Sequence, residues 1–270
     1  IKCDKLYKTI YYNKPSVYDP LNFAIFKFNR AVAKKYINMY GKNKKNILDI
    51  GIGKGNAIPD YVDAGIQNIY GIEPSIYSIE NSNKFLKKYK NKNINIIQGF
   101  GNVKWNNELI LKNKYKIVII TFVIHYMIDD LDILVNNINK VTTSGSYVLI
   151  FCLDGKKIFN KLNKKKRYEI IYNKEPYWGV YKYNDNIPNV FNKNFRMLFY
   201  MKDVYGVSNG SEEYLVNSDN IIKKFKNFRL VIKKSFLDEF YQMNTFRDKI
   251  RHDFQQKILD LHQTIILQKK

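Results

Sequence analysis

The sequence predicts an α/β fold with a doubly wound, mostly parallel sheet. The 270 residues are enough for one large domain, and short apolar runs alternate with helical patterns roughly every 20–30 residues up to Leu153. One such run ends in three alternating glycines at Gly51, Gly53 and Gly55, and a second run ends in a carboxylate at Glu73. Because ligands bind at the carboxyl ends of the strands in such sheets, these residues predict a binding site at that edge.

The individual elements follow from hydrophobic periodicity. The first helix has Phe26, Ala33 and Ile37 near one face, and Pro59 is tolerated only in the first turn of the second helix. Strands are predicted over Asn46–Ile50, Asn68–Ile72, Ile94–Ile97, Ile117–Thr121 and Tyr147–Cys152, and helices over Phe23–Tyr40, Ile58–Ala64, Ile76–Tyr89 and Leu131–Val141.

The alternation is lost after Leu153. Residues 173–194 have a loop-like composition, and Arg196–Val204 and Tyr214–Asn217 are predicted to pair as antiparallel strands. A helix over Asp219–Phe228 and a last strand over Thr264–Leu267 complete the prediction. We divide the chain into a tyrosine-rich extended arm, residues 1–22, and one domain, residues 23–270.

The chain is strongly basic. Lys and Arg total 46 against 24 Asp and Glu, a formal net charge of +22, and such a field attracts polyanions, nucleic acid first. Lysine-rich codon usage is the alternative source of part of this charge. We expect no membrane span, no metal site and a reducing, cytoplasmic location, because no apolar run is long enough and the two cysteines lie far apart.

The glycine-rich turn favours a nucleoside cofactor. Gly51 and Gly53 let backbone approach a ligand, Asp49 is placed to hold an ammonium group, and Glu73 is placed to accept from a ribose diol. The spacing differs from the dinucleotide pattern, and this favours S-adenosylmethionine over NAD. The alternative is an ordinary strand-to-helix turn with an exposed acid.

Two further segments carry candidate ligands for a base. After the fourth strand, His125 could hydrogen-bond a purine edge while Phe122 or Tyr126 stacks on its face. Glu213 could accept from the N1–H and exocyclic amine of guanine. The alternatives are a core histidine and a solvated acidic turn.

These segments, in this order, resemble the mRNA cap (guanine-N7) methyltransferases, especially the viral branch. The matching motifs are Leu48-Asp49-Ile50-Gly51-x-Gly53-Lys54-Gly55, Tyr70-Gly71-Ile72-Glu73, Phe122-x-x-His125-Tyr126, Glu213-Tyr214-Leu215-Val216 and Phe236-x-x-Phe240-Tyr241. The resemblance implies a Rossmann-like class I methyltransferase fold with an antiparallel C-terminal strand and cap-binding insertions.

The resemblance also implies site residues and partners. The implied cofactor ligands are Lys34, Asp49, Gly51, Gly53, Glu73, Gly99, Phe100 and Thr121, with Arg30 as the alternative to Lys34; the implied cap ligands are Phe122, His125, Tyr126 and Glu213. No residue is expected to act as a catalytic acid or base. His262 or Gln263 lies closest to a C-terminal tyrosine that encloses the cap in the family.

The implied partner is the capped 5′ end of RNA, held by the Lys161–Arg167 run or by the Lys27–Lys35 face. The chain start, which lacks Met, suggests covalent continuity with triphosphatase and guanylyltransferase domains, and an activating subunit is compatible with the resemblance. Two other functions stay open: methylation of another RNA or of a small molecule, and a non-catalytic, methyltransferase-like RNA-binding subunit.

Overall fold

The computed structural model describes residues 20–162, 165–182, 191, 195–201 and 211–270. Its strands are β1 (Asn46–Ile50), β2 (Asn68–Glu73), β3 (Asn93–Gln98), β4 (Tyr115–Thr121), β5 (Thr142–Leu153), β6 (Arg167–Tyr172), β7 (Glu175–Lys182), β8 (Phe195–Met201), β9 (Ser211–Leu215), β10 (Phe228–Ser235) and β11 (His262–Lys269). Its helices are α1 (Pro20–Gly41), α2 (Ile58–Asp63), α3 (Ile76–Lys88), α4 (Glu108–Leu111), α5 (Leu131–Val141), α6 (Gly155–Leu162), α7 (Ser218–Lys224), α8 (Phe236–Gln242) and α9 (Asp253–Asp260).

The main sheet has seven strands in the order β10-β11-β5-β4-β1-β2-β3. Strands β1 to β5 pair in parallel, and β11 runs antiparallel to β5. The predicted doubly wound sheet with an antiparallel C-terminal strand is therefore confirmed.

Helices cover both faces of this sheet. Ile47, Ile117 and Ile119 point to one face, where α1, α2, α8 and α9 pack, and Leu48 and Val118 point to the other, where α5 and α7 pack. Successive strand residues alternate between faces, so a strand that is buried on both sides is apolar throughout. This explains the continuous Ile/Leu/Val runs of the sequence.

The strand order reverses between β1 and β4, and this reversal positions the site. Ile50 at the end of β1 pairs with Ile72 of β2 and with Ile120 of β4, so the three strands end level with one another. The turns after β1 and β4 therefore face each other across the switch point, where ligands bind in this class of sheet.

A second sheet of four antiparallel strands, β6-β7-β8-β9, is inserted between β5 and α7. The predicted antiparallel pair near 196–217 is confirmed as β8 and β9, with residues 202–204 outside the described part of the chain. The loop predicted over 173–194 is wrong for Glu175–Lys182, which is β7. Pro176 and Gly179 suggested a loop, but Pro176 lies at a register shift, where its missing N–H is tolerated.

Several boundaries also differ from the prediction. Helix α1 begins at Pro20, so only residues 1–19 of the predicted arm lie outside the described residues. A proline at the first helical position costs no hydrogen bond, because that N–H has no partner within the helix. The helix predicted over Asp219–Phe228 ends at Lys224, and the sequence analysis missed β10, whose basic residues obscure its alternation.

A buried carboxylate ties α1 to α8. Glu239 is fully buried; its Oε1 accepts from the Tyr36 hydroxyl at 2.5 Å, and its Oε2 lies 2.6 Å from Lys35 Nζ. Burial alone would raise the pKa of Glu239, but the hydrogen bonds from Lys35 and Tyr36 lower it below its ordinary value. These contacts of Glu239 fix α1, the helix that precedes β1 and the glycine turn, against α8.

Within the described part of the chain, no helix is long and apolar enough to cross a membrane.

Candidate functional site

The glycine turn after β1 is held by backbone geometry that side chains disfavour. Gly51 has φ +79°, donates its N–H to the Ile72 carbonyl at 2.8 Å, and would press a Cβ to 2.7 Å from Val123. Gly53 has φ +58°, and a Cβ there would meet no atom within 4 Å. Gly51 thus allows the β1 turn to contact the β4 turn, whereas Gly53 borders open space suited to a ligand.

Glu73 fixes the other side of this turn. Its carboxylate is 1% exposed and accepts from Gly53 N–H at 2.9 Å through Oε2 and from Ser75 N–H at 3.0 Å through Oε1. A carboxylate is the group that accepts hydrogen bonds from both hydroxyls of a ribose diol. Glu73 therefore lies where the sequence predicts a ribose ligand, beside Gly53.

Asp49 is buried beneath the same turn. Its Oδ2 accepts from the Tyr61 hydroxyl at 2.6 Å, while its Oδ1 is buried and makes no hydrogen bond with the described residues. Burial raises the pKa of Asp49 to about 7, with a lowering contribution from the Tyr61 hydrogen bond and a further rise from Glu73. This oxygen lacks a hydrogen-bond donor, and an ammonium group supplies both a donor and a compensating charge.

The chain therefore fits S-adenosylmethionine, which carries an ammonium group and a ribose. Asp49 offers an unpartnered acceptor, Gly53 an open backbone, and Glu73 a carboxylate beside Gly53. Tyr61, which orients Asp49, was missed by the sequence analysis because it shows there only as one more apolar residue of a short helix.

The remaining predicted cofactor residues lie at the neighbouring strand ends. Gly99 and Phe100 follow β3, where Gly99 N–H donates to the Glu73 carbonyl at 3.1 Å and the Phe100 ring is 43% exposed. Thr121 ends β4. These positions follow β3 and β4, the strands on either side of β1 and β2 in the sheet.

The two candidate cations of α1 are both paired with α2. Arg30 Nε lies 2.6 Å from Asp60, and Lys34 Nζ lies 3.2 Å from Asp60 and 2.7 Å from Asp63. Arg30 contacts the first turn of α2 through Asp60, whereas Lys34 also contacts Asp63, the last residue of α2.

Phe122 occupies a strained position after β4. Its φ of +54° is unusual for a residue with a Cβ, and its ring packs edge-on against Phe236 and His262, at 6.0 and 5.4 Å between centroids. His262 is itself held by a 2.7 Å hydrogen bond between Nδ1 and the Ile258 carbonyl. Such strain persists where the surroundings fix it, often at ligand sites.

His125 and Glu213, which are far apart in the sequence, meet beside this turn. His125 Nε2 lies 3.4 Å from Glu213 Oε2, and the Tyr126 ring lies 4.0 Å from the imidazole between centroids. Burial lowers the pKa of His125, although Glu213 opposes this shift, and the lowered pKa favours the neutral imidazole. The two residues that the sequence assigned to guanine therefore lie side by side, next to the exposed Tyr126.

A network that the sequence analysis missed holds β9 against this segment. The Tyr214 hydroxyl donates to Asp129 at 2.6 Å, Arg196 pairs with Glu212 at 2.7 Å, and the Arg196 guanidinium lies 5.0 Å from the centre of the Tyr214 ring. Because Tyr214 follows Glu213 directly, this network sets the position of Glu213 relative to His125. No local pattern could have indicated contacts between such distant residues.

Comparisons with known proteins show what the chain is similar to. Residues 48–150, which contain the glycine turn and β4, match the family model of a methyltransferase domain. The chain is 27% identical over 178 residues to a protein named probable mRNA-capping enzyme from Acanthamoeba polyphaga mimivirus. That match covers 54% of this chain and 15% of the relative, so the chain spans a small part of that protein.

Solved structures share the fold at low identity. An S-adenosylmethionine-dependent methyltransferase from Clostridium acetobutylicum has a TM-score of 0.56 and 12% identity, with 99% of this chain and 98% of that one covered. One from Mesorhizobium loti has a TM-score of 0.58 and 11% identity, with coverage of 91% and 100%. The glycopeptide N-methyltransferase MtfA, in complex with S-adenosylmethionine, has a TM-score of 0.55 and 11% identity, with coverage of 90% and 94%.

Three observations point to the same kind of protein. They are the sheet order, the polar groups at the switch point and the match over residues 48–150. Residues 48–150 match a methyltransferase domain, the chain has the Rossmann-like class I methyltransferase fold, and S-adenosylmethionine is the cofactor that the site fits.

Proposed function

We propose that the chain is an mRNA cap guanine-N7 methyltransferase of the viral type. The observation that carries this proposal is the pairing of His125 with Glu213, 3.4 Å apart beside the turn after β4. Both residues come from motifs that resemble the guanine-binding segments of that family. The similarity to a protein named as an mRNA-capping enzyme supports the same acceptor.

The chemistry of guanine matches this pair. The Glu213 carboxylate can accept from both guanine N1–H and the 2-amino group, a donor pair that adenine lacks. Nε2 of His125 is buried and makes no hydrogen bond with the described residues, so it is available to a base. Tyr126, exposed and close to His125, offers a ring on which the base stacks.

The reaction needs orientation rather than proton transfer. When bound, S-adenosylmethionine supplies an electrophilic methyl group on a sulfonium sulfur. Guanine N7 presents its lone pair in the ring plane and carries no proton, so Glu213 and His125 have only to hold the base. Well-oriented reactants gain roughly 7–11 kcal/mol of the barrier in this way.

For the cofactor, we propose that Asp49 binds the ammonium and Glu73 the ribose, with Gly51 and Gly53 forming the turn. Gly99, Phe100 and Thr121 line the flanking strand ends. We propose Arg30 rather than Lys34 for the cofactor carboxylate, because Lys34 contacts the far end of α2 through Asp63.

The proposal extends to partners. The substrate is the capped 5′ end of RNA, and the chain works as the methyltransferase part of a multifunctional capping enzyme with triphosphatase and guanylyltransferase domains. This extension is supported by the capping-enzyme relative, of which the chain spans 15%. The site of action is the cytoplasm, and an activating subunit is compatible with the proposal.

The direct experiment is methyl transfer from radiolabelled S-adenosylmethionine to GpppG-capped RNA, with ApppA-capped and uncapped RNA alongside. Label on the guanine cap alone, released as 7-methylguanine, is the expected result. Label on uncapped RNA or on a small molecule would favour the alternative methyltransferase functions, and failure to bind the cofactor would favour a non-catalytic subunit.

Glu213→Ala is the matching variant, with Glu212→Ala as its control. Glu212 is the adjacent, exposed carboxylate and pairs with Arg196. The Glu213 variant should lose about a hundredfold in kcat/KM for the cap and keep its cofactor affinity, since Glu213 binds only the base. Equal losses in both variants, or lost cofactor binding, would contradict the assignment.

A further inference from the structure

We propose that a basic groove at the start of β6 binds the single-stranded RNA that follows the cap. This inference rests on the proposed function. The β6 groove is an open cavity of about 910 Å³, and its lining includes Lys161, Lys165, Lys166, Arg167, Tyr168 and Ile171.

The charge of the β6 groove is largely uncompensated. In the described part of the chain, no carboxylate lies within 4 Å of Lys161, Lys165 or Lys166. Arg167 lies 3.7 Å from Glu169, the acid of the groove, and that carboxylate also accepts from the Tyr181 hydroxyl. Three free ammonium groups on one surface attract the phosphates of a nucleic acid.

The other basic surface considered for RNA, the Lys27–Lys35 face, is already neutralised in part. Arg30 pairs with Asp60, Lys34 with Asp60 and Asp63, and Lys35 with the buried Glu239. Phosphates bound there would have to displace these carboxylates. Binding of RNA to the β6 groove therefore costs less free energy than binding to the Lys27–Lys35 face, because the three lysines of the groove form no ion pairs with described residues that have to be broken.

The lining also suits a single strand. Tyr168 is half-buried and packs edge-on against Trp178 at 6.3 Å between centroids, and the Ile171 side chain is 50% exposed. An aromatic ring and an apolar side chain among cations give bases a surface to stack on. A groove that bound only the acidic side chains of another protein would need no surface for stacking.

Strand register gives the distance from the β6 groove to β9, the strand that carries Glu213. Arg167 pairs with Tyr181, Tyr181 with Leu198, and Leu198 with Glu212, which precedes Glu213. Arg167 and Glu212 therefore lie on one row of one face of the sheet, three strand spacings or about 14 Å apart, and the Glu213 side chain points to the other face at the β9 edge. A stacked strand at roughly 3.4 Å per nucleotide crosses this row in about four nucleotides.

The test compares substrates of different length. Lys161→Gln/Lys165→Gln/Lys166→Gln removes the free cations, and Lys42→Gln/Lys44→Gln/Lys45→Gln removes as much charge from exposed residues before β1. We expect the groove variant to raise KM at least tenfold for capped RNAs of about 8 nucleotides or more and to leave KM for the GpppG dinucleotide unchanged. Its salt dependence should weaken by a slope of about two, for three phosphates at roughly 0.7 each.

The control variant should show no dependence on RNA length. Equal effects of the two variants, or an effect of the groove variant on GpppG, would overturn the inference. If neither of the two variants nor the unsubstituted protein methylates any cap, the proposed function is wrong. Fluorescence anisotropy with uncapped 20-mer RNA (about five times the crossing length) then decides the inference separately, because equal affinity of the two variants would overturn it.

Discussion

Replacing Asp49 with asparagine should stabilise the cofactor-free protein while weakening its binding of the cofactor. Burial raises the pKa of Asp49 from 3.8 to about 7, and this difference corresponds to about 4 kcal/mol. An acid whose pKa rises on folding makes the folded state progressively less stable as pH rises from about 4 to about 7. At about pH 8, Asp49→Asn should therefore increase the free energy of unfolding by up to about 4 kcal/mol, and by less than half of that near pH 5.

Cofactor binding should respond in the opposite sense. The ammonium of the cofactor needs the ionised carboxylate, so below about pH 7 the affinity of the unsubstituted protein should fall by up to tenfold per pH unit. Asp49→Asn should bind more weakly at about pH 8 and lose this pH dependence. Tyr61→Phe should move the midpoint to higher pH, because the Tyr61 hydrogen bond lowers the pKa of Asp49.

Two ligands separate the ammonium from the rest of the cofactor. Calorimetric titrations with S-adenosylhomocysteine, which carries the ammonium, should show the pH dependence, and titrations with 5′-methylthioadenosine, which lacks it, should not. Thermal unfolding of the cofactor-free proteins at about pH 5 and pH 8 measures the effect on stability. A pH-independent affinity for S-adenosylhomocysteine, or equal losses for both ligands in Asp49→Asn, would refute the reasoning.

Three further predictions concern the turn, the β9 network and the buried ion pair. Gly53→Ala should lower cofactor affinity at least tenfold, measured by calorimetry, and lower the free energy of unfolding by about 1 kcal/mol. Gly51→Ala forces a methyl group against Val123 and should lower the free energy of unfolding by about 2–3 kcal/mol. Equal losses of stability for the two variants in urea unfolding would contradict this. Tyr214→Phe should raise KM for the cap several-fold without changing cofactor affinity, since it releases β9 from Asp129, and an unchanged KM would count against the network. Glu239→Ala should lower the free energy of unfolding by about 3 kcal/mol above pH 5. This difference from the unsubstituted protein should shrink at lower pH, because the folded protein lowers the pKa of Glu239. A pH-independent difference in urea unfolding would argue against the ion pair.

The sequence by itself determined the parts of the protein that depend on local patterns. The strand and helix alternation predicted β1 to β5 and their helices, because periods of two and of 3.6 residues are set by neighbours along the chain. The glycines at positions 51 and 53 and the carboxylate of Glu73 predicted the cofactor turn for the same reason. Strands with mixed patterns, β7 and β10, were missed because their partners supply their stability.

Only the tertiary structure decided which distant residues meet. The unpartnered oxygen of Asp49, the contact of Gly51 with Val123 and the approach of Glu213 to His125 all join segments that no local period relates. The pKa values of Asp49 and His125 follow from burial, which is a property of the packed domain. The sequence therefore determined which chemical groups are available, and the packing of the two sheets decided their distances and charge states.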